Sequence, residues 1–337
     1  MSGEIVMTQI ENTRVGSTSV TMKLTEYEAD VLVESKKLVA DGVVLLVLRH
    51  TDGEQLPAWE PGAHIDLVLP GDTTRQYSLM GDPDDRQRWK VGVLREPESR
   101  GGSEYIHDQL VEGQTVRVRG PRNHFELATS NRYHFIAGGI GITPMIPMIR
   151  SAQTSGAEWK LTYGGRQRSS MAFLDDLEQH GDKVDVFPQD TRGFPDLDAI
   201  LSTLAPGTQV YCCGPEGLLT AVEDKCAQWK VGDPHIERFS PKHFDDAVNT
   251  AFDVELRESG LTLHVPADQS ILQVVRAAGV GTTASCEEGT CGTCETGVHE
   301  GTPDHRDSVL TADEQAENDY MMICVSRSCS KKLVLEL

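Results

Sequence analysis

Positive charge is scarce in this chain. Only 31 Lys and Arg stand against 52 Asp and Glu in 337 residues, a formal charge of −21. Phosphate backbones and anionic lipid surfaces repel so acidic a molecule, which argues against nucleic acid or a membrane surface as its partner. A basic or neutral macromolecular partner stays open. Long apolar runs are missing too. The longest mostly apolar stretch, Phe135 to Ile149, is broken by Pro144, Pro147 and three glycines, and it falls short of the roughly 20 residues a membrane helix needs. The opening residues, MSGEIVMTQIENTRVGSTS, have no positive start followed by an apolar run and a small-residue cleavage site. A secretory leader is therefore not expected, and the compartment is read as the cytoplasm. Internal repeats and low-complexity tracts are also absent. What remains, 38% hydrophobic and 25% charged residues, suits a globular chain of two or three domains.

The order of short patterned segments predicts a multidomain fold. Residues 1–25 are rich in Ser, Thr, Asn and Gly and read as a flexible arm. Over 26–128, six β-like runs (Asp30 to Val39, Val43 to Arg49, His64 to Leu69, Gln76 to Leu79, Trp89 to Leu94, Thr115 to Arg119) are separated by turn clusters, the pattern of a small antiparallel β-barrel. Over 129–235, apolar strands alternate with helical stretches at Pro144 to Gln153, Ser170 to His180, Asp196 to Leu204 and Glu216 to Trp229. That alternation predicts an α/β domain with a parallel sheet. A polar segment, 236–251, reads as a linker. From 252 to 337 a hairpin, Phe252 to Leu256 and Leu261 to Val265, precedes a helix from Ser270 to Ala278 and a cysteine-rich loop.

Of the eight cysteines, five crowd the last sixth of the chain. In a reducing compartment, clustered thiols hold metal or do redox chemistry more often than they form disulfides. CEEGTCGTC sets Cys286, Cys291 and Cys294 in a C-x4-C-x2-C run, the spacing of a plant-type 2Fe-2S ferredoxin. Structural zinc more often uses paired C-x2-C knuckles. Cys324 and Cys329 compete for the fourth position, and the spacing leaves that choice open.

Two further signals concern nucleotides. GGIGITP, Gly138 to Pro144, lies between a strand and a helix, where amides can approach a diphosphate. YCCGPEG ends a later strand in the same way. Neither has the G-x-G-x-x-G spacing, which disfavours a standard Rossmann dehydrogenase. In the predicted barrel, RQYS supplies Arg75, Tyr77 and Ser78, and SRGGS a glycine-led helix start. A guanidinium with such a turn suits a terminal phosphate, and a tyrosine with a hydroxyl suits a flat heterocycle.

RQYS, SRGGS, GPRNHF, GGIGITP, YGGR, YCCGP and CEEGTCGTC occur in the order found in phthalate dioxygenase reductase and relatives such as vanillate demethylase reductases. From about Tyr27 to the C-terminus the chain resembles that family. The resemblance implies a β-barrel that binds FMN rather than FAD, a nicotinamide domain, and a C-terminal β-grasp ferredoxin with a 2Fe-2S cluster. It implies Cys286, Cys291, Cys294 and Cys324 as the cluster ligands. Arg75 and the amides around Gly101, Gly102 and Ser103 would hold the flavin phosphate. Gln76, Tyr77, Ser78, Val93 and Leu94 would line the ring system, with Ser78 near its reactive N5. Gly138, Gly139, Gly141, Thr143, Arg166, Cys213, Gly214 and Pro215 would line the nucleotide path, and Phe239 would cover the flavin until the nicotinamide displaces it. Ser78, Thr143, Cys213 and Phe239 would act closest to the hydride. NADH is the expected donor, although Arg166, Arg168 and Ser169 could accept a 2′-phosphate. The implied activity is that of a monomeric NADH-dependent reductase. It would deliver single electrons to a terminal oxygenase, Rieske-type or cytochrome P450, that docks near the cluster loop at Glu287 and Glu288. A non-enzymatic iron-sulfur carrier is the remaining alternative, and the barrel and nucleotide motifs weigh against it.

Overall fold

The structure, a computed structural model, describes residues 26–71, 73–97, 101–242 and 248–337. The arm expected over 1–25, and Ser99 and Arg100 of the SRGGS turn, lie outside the described residues.

Alternating apolar side chains build the first sheet. It comprises β1 (Glu28–Ala40), β2 (Val43–His50), β3 (Ala63–Leu69), β4 (Thr73–Ser78), β5 (Trp89–Leu94) and β6 (Thr115–Asn123). The six strands run antiparallel in the order β4-β3-β6-β1-β2-β5, and a bridge between Leu79 and Val91 joins the two ends. In β1 and β2 every second residue points inward, so Val31, Val33, Leu46 and Leu48 meet Ile65, Leu67, Trp89 and Val91 in one barrel core. A short helix, α1 (Gly102–Asp108), adds Ile106 to that core.

The second sheet is wholly parallel. Its elements are β7 (Arg132–Gly138), α2 (Met145–Thr154), β8 (Glu158–Gly165), α3 (Leu174–Glu178), β9 (Val184–Pro188), α4 (Gln189–Arg192), α5 (Leu197–Leu201), β10 (Gln209–Cys213), α6 (Glu216–Trp229) and β11 (His235–Glu237). The strand order β11-β10-β7-β8-β9 means that the chain leaves β7 in one direction and returns on its other side at β10. Crevices for ligands open at such a switch point, at the carboxyl ends of the strands. Two expectations need correction here. The helix expected over Ser170 to His180 shrinks to α3, because Phe173 takes a left-handed backbone conformation and starts the helix late. The segment read as a linker, 236–251, begins inside β11, which pairs with β10 from Tyr211↔His235 to Cys213↔Glu237. Three residues at a sheet edge are too few to show a period of two.

The third sheet is mixed. Its chain runs through β12 (Phe252–Leu256), β13 (Leu261–Val265), α7 (Ile271–Ala277), β14 (Glu295–Glu300), β15 (Pro303–Asp304), α8 (Ala312–Glu317), β16 (Tyr320–Met322), β17 (Arg327–Ser328) and β18 (Lys332–Leu335). β18 inserts beside β12 in parallel, giving the order β13-β12-β18-β14-β16. Helix α7 starts at a reciprocal cap between Ser270 and Gln273 and buries Ile271, Leu272 and Val275 against the sheet. Among the described residues no helix is long and apolar enough to cross a membrane.

The barrel core sets a test of the packing. Leu46 is fully buried, and Leu46→Ala is expected to lower unfolding stability by about 2–5 kcal/mol. Thermal or denaturant unfolding of the barrel would check this, and a loss under half a kilocalorie would mean that the core is loosely filled.

Candidate functional site

The four cysteines of the expected cluster come together. The Cys286 thiol lies within hydrogen-bonding reach of those of Cys291 and Cys324, and Cys324 lies within reach of Cys294. Cys329, the other candidate, is exposed, and its amide bonds to the Thr302 carbonyl. The loop turns its amides toward sulfur: the Glu288 and Thr290 N–H groups donate to Cys286 Sγ at 3.3 and 3.4 Å, and the Cys286 N–H donates to Cys291 Sγ at 3.5 Å. Such donors stabilise thiolates that carry the charge of a cluster. Gly289 and Gly292 adopt positive φ, 72° each, which lets the loop wrap inward. Among the described residues no three His, Cys, Asp or Glu side chains meet the geometry for a single metal ion. The fit to a two-iron cluster therefore rests on the converging thiols and their amide donors.

Next to this loop, His64, Gln76, Ser78, Glu237, Arg238, Phe239 and Thr290 line a cavity of about 40 Å³. All three sheets contribute to it: His64, Gln76 and Ser78 from the barrel, Glu237 from β11, and Thr290 from the cysteine loop. Two polar atoms, Ser78 Oγ and His64 Nε2, are buried there with no hydrogen-bond partner. Buried polar atoms without partners are uncommon, and these two fit a polar heterocycle edge that would supply them. Phe239 is 44% exposed at the rim. Arg238 holds this end of β11 in place through Glu216 (3.1 Å) and Glu223 (2.7 Å) on α6.

The sequence reasoning missed Glu237. Its carboxyl lies 3.8 Å from Cys213 Sγ and reaches toward Ser78, although Ser78 Oγ gains no regular hydrogen bond from it. Desolvation raises its pKa to about 8 against the pull of those two neighbours. Burial also pushes the Cys213 thiol well above its ordinary range, so it is neutral. A single acid two residues before Phe239, on a segment too short to look like a strand, was the only signal available. His64 and Thr290 had none, because HIDL alternates like any strand.

The glycines of the two strand-end turns divide into two kinds. A Cβ at Gly141 would sit 2.2 Å from the Cys213 carbonyl oxygen, and one at Gly138 would sit 2.7 Å from Pro215 Cδ. A Cβ at Gly214 would sit 3.0 Å from Gly138 Cα. These three let the ends of β7 and β10 close on each other. Gly139 alone of the four has positive φ, 56°, with open space where a side chain would be. Thr143 is buried against the barrel, its Cγ2 in the place a Cβ on Gly92 would take.

In the barrel, Arg75 folds over the start of α1, its Cγ 2.6 Å from where a Gly102 Cβ would be. Ser103 is buried and its Oγ accepts from the Glu96 N–H. Val93, expected beside the ring system, has its side chain in the barrel core, and its carbonyl bonds to His107 Nε2 at 2.9 Å. Leu94 is only partly buried. Arg166 is exposed after β8, while Arg168 is paired with Glu178 at 2.5 Å.

Residues 135–224 match the family model described as an oxidoreductase NAD-binding domain, and 254–329 match that of a 2Fe-2S iron-sulfur cluster binding domain. A phenoxybenzoate dioxygenase subunit beta from Ectopseudomonas oleovorans is 44% identical over 301 residues, which is 88% of this chain and 94% of that protein. The crystal structure of phthalate dioxygenase reductase, described as modular for electron transfer from pyridine nucleotides to [2Fe-2S], is 36% identical. It is covered over 98% of its length by 92% of this chain, with a TM-score of 0.66. The chain belongs to the phthalate dioxygenase reductase family. An intact type IV self-sufficient cytochrome P450 monooxygenase is also similar, 47% identical with a TM-score of 0.86 over 92% of this chain; this reductase spans 41% of that longer protein. The flavin barrel, NAD-binding domain and ferredoxin domain of the family correspond to the three sheets, and an FMN, a nicotinamide nucleotide and a 2Fe-2S cluster are its cofactors.

In this reductase the contact between the two strand ends can be tested directly. Gly141→Ala places a methyl group against backbone that cannot rotate away. The variant is expected to lose NADH-dependent reduction of bound flavin while its visible cluster spectrum persists. An unaltered reduction rate would show that the β7 and β10 ends can separate without cost.

Proposed function

We propose that this reductase takes electrons in pairs from NADH and delivers them singly to a Rieske-type aromatic oxygenase or demethylase. One observation carries the order of transfer: Ser78, Phe239 and Thr290 line the same cavity, so the hydride entry, the flavin edge and the cluster loop share one wall. When bound, FMN supplies two-electron acceptance with one-electron release, and the cluster supplies a one-electron relay.

The chain's residues position and shield that chemistry. Arg75, with Gly101, Gly102 and Ser103, would hold the flavin phosphate by a charge-assisted contact. Tyr77 and Ser78 would flank the ring, with Gln76 and Leu94 at its border and Val93 acting only through the barrel wall. Gly139 would admit the nucleotide, and Thr143, Cys213 and the Gly214-Pro215 turn would guide the nicotinamide to the face that Phe239 covers. Arg168 is committed to Glu178, which favours NADH over a 2′-phosphorylated donor; Arg166 would approach the adenosine side. Cys286, Cys291, Cys294 and Cys324 would hold the cluster. A protonated Glu237 keeps the hydride path free of negative charge. None of the eight cysteines is in a disulfide, in keeping with a reducing, cytoplasmic setting.

The likeness to the self-sufficient P450 favours a second reading, in which the acceptor is a heme monooxygenase. Reconstitution separates the two: product formation with a purified Rieske oxygenase, and none with a P450, supports the first. On the docking face, Glu287 is ion-paired with Arg276 at 2.5 Å, so part of the acidity expected there is already neutralised.

Two expectations follow from these roles. Glu237 binds its proton more tightly in the folded chain than its ordinary value of 4.5 would allow. Between about pH 4.5 and 8 the folded state thus holds the extra proton, and its contribution to stability declines as pH rises through that window. The rate of flavin bleaching by NADH should likewise fall as pH rises through about 8. Glu237→Gln, which stays neutral, should remove that limb in stopped-flow traces; a limb that persists would assign it to another group. For the cluster, Cys324→Ser is expected to lose iron while Cys329→Ser keeps it, as read by iron content and visible absorption, and the reverse result would exchange their roles.

A further inference from the structure

Asp66 is a carboxylate with no solvent exposure, near the middle of β3. Its Oδ1 accepts from Gln76 Nε2 at 2.8 Å and from Arg122 Nη2 at 2.5 Å. Its Oδ2 accepts from Ser285 Oγ at 2.6 Å, across 219 residues of sequence. Ser285 immediately precedes Cys286, and its hydroxyl also accepts from Gln76 Nε2 at 2.8 Å. Both hydrogen bonds of this hydroxyl therefore go to the barrel, although the serine belongs to the cysteine loop. A second contact grips the other side of the loop. A Cβ on Gly292, the residue after Cys291, would lie 2.3 Å from His124 Nε2, so the imidazole rests directly on the loop backbone. His124 follows β6 by one residue, two beyond Arg122.

We propose that Asp66 is a positioning residue that latches the cysteine loop onto the flavin barrel through Ser285, and so sets the spacing across which electrons leave the flavin. The inference rests on the proposed direction of transfer. A buried carboxylate is costly unless each oxygen is met, and here one oxygen is met only when the loop is docked. Seating the loop and completing the hydrogen bonds of Asp66 are thus one event. The contact acts on placement and leaves hydride entry alone: neither Asp66 nor Ser285 lines the cavity under Phe239, and Gln76, which does, keeps its bond to Asp66 when the serine hydroxyl is lost.

Ser285→Ala in the full-length holoprotein removes the hydroxyl and leaves the thiols and the barrel intact. On anaerobic mixing with NADH, flavin bleaching should keep its native rate. Cluster bleaching should slow by about tenfold, as expected for partners displaced by a fraction of an ångström to an ångström. Amide exchange over 286–293 should quicken, iron content should stay native, and Ser285→Thr should restore both rates. The proposal fails if Ser285→Ala leaves cluster bleaching and loop exchange native. It also fails if flavin and cluster slow together, or if iron is lost, since the contact would then serve folding. Loop exchange reads the latch without any electron transfer. Failure of NADH to bleach the unaltered protein would therefore count against the functional reading alone.

Discussion

A charge without water has to be answered by the protein around it, and in this chain that charge is Asp66. Its answers come from β4, from the end of β6 and from the residue before the first cluster cysteine. Burying an ion pair of this kind adds little net stability, but leaving either partner alone is expensive. Its effect is to make one arrangement of barrel and ferredoxin better than others that would bury as much apolar surface. The cavity shared by Ser78, Glu237, Phe239 and Thr290 lies beside this node and depends on it, since Thr290 is on the loop that Ser285 anchors.

The nicotinamide side depends on backbone meeting backbone. Gly138, Gly141 and Gly214 are small because the ends of β7 and β10 come within contact distance, which brings the Cys213 thiol beside β11 and Glu237 beside the thiol. The same close approach buries Cys213 and partly covers Glu237. Desolvation then raises the Glu237 carboxyl and the Cys213 thiol together, so neither of these two acids is driven to carry negative charge near neutral pH. Arg238 pins the segment through two carboxylates of α6, and Phe239 next to it is exposed.

Much of this was legible in the sequence for a definite reason. Strands with one buried face impose an alternation that survives without neighbours, and a short apolar run marks a strand buried on both faces such as β10, so β2, β5, β10, β12 and β13 could be read at or near their observed bounds. A cluster needs its thiols at fixed spacing on one loop, so Cys286, Cys291 and Cys294 announced themselves. Local chemistry also reveals caps: Ser270 with Gln273 starts α7 as its sequence suggests. The choice between Cys324 and Cys329 was not local; in the fold one thiol turns inward to the others and the other faces solvent.

What tertiary structure alone decided are the properties that depend on distance through space. Whether a glycine frees a diphosphate or merely lets two strands touch depends on what lies opposite it, and only Gly139 among the four proved open. Glu237 looked like one more acid among 52 until β11 paired with β10 and set its carboxyl beside the Cys213 thiol, where desolvation raises its pKa. The link from Asp66 to Ser285 spans 219 residues, and no periodicity or spacing can record a hydrogen bond between units that fold around separate cores. Composition, motif order and strand alternation are written along the chain and could be read there, whereas desolvation and contact between domains exist only once the chain has closed on itself.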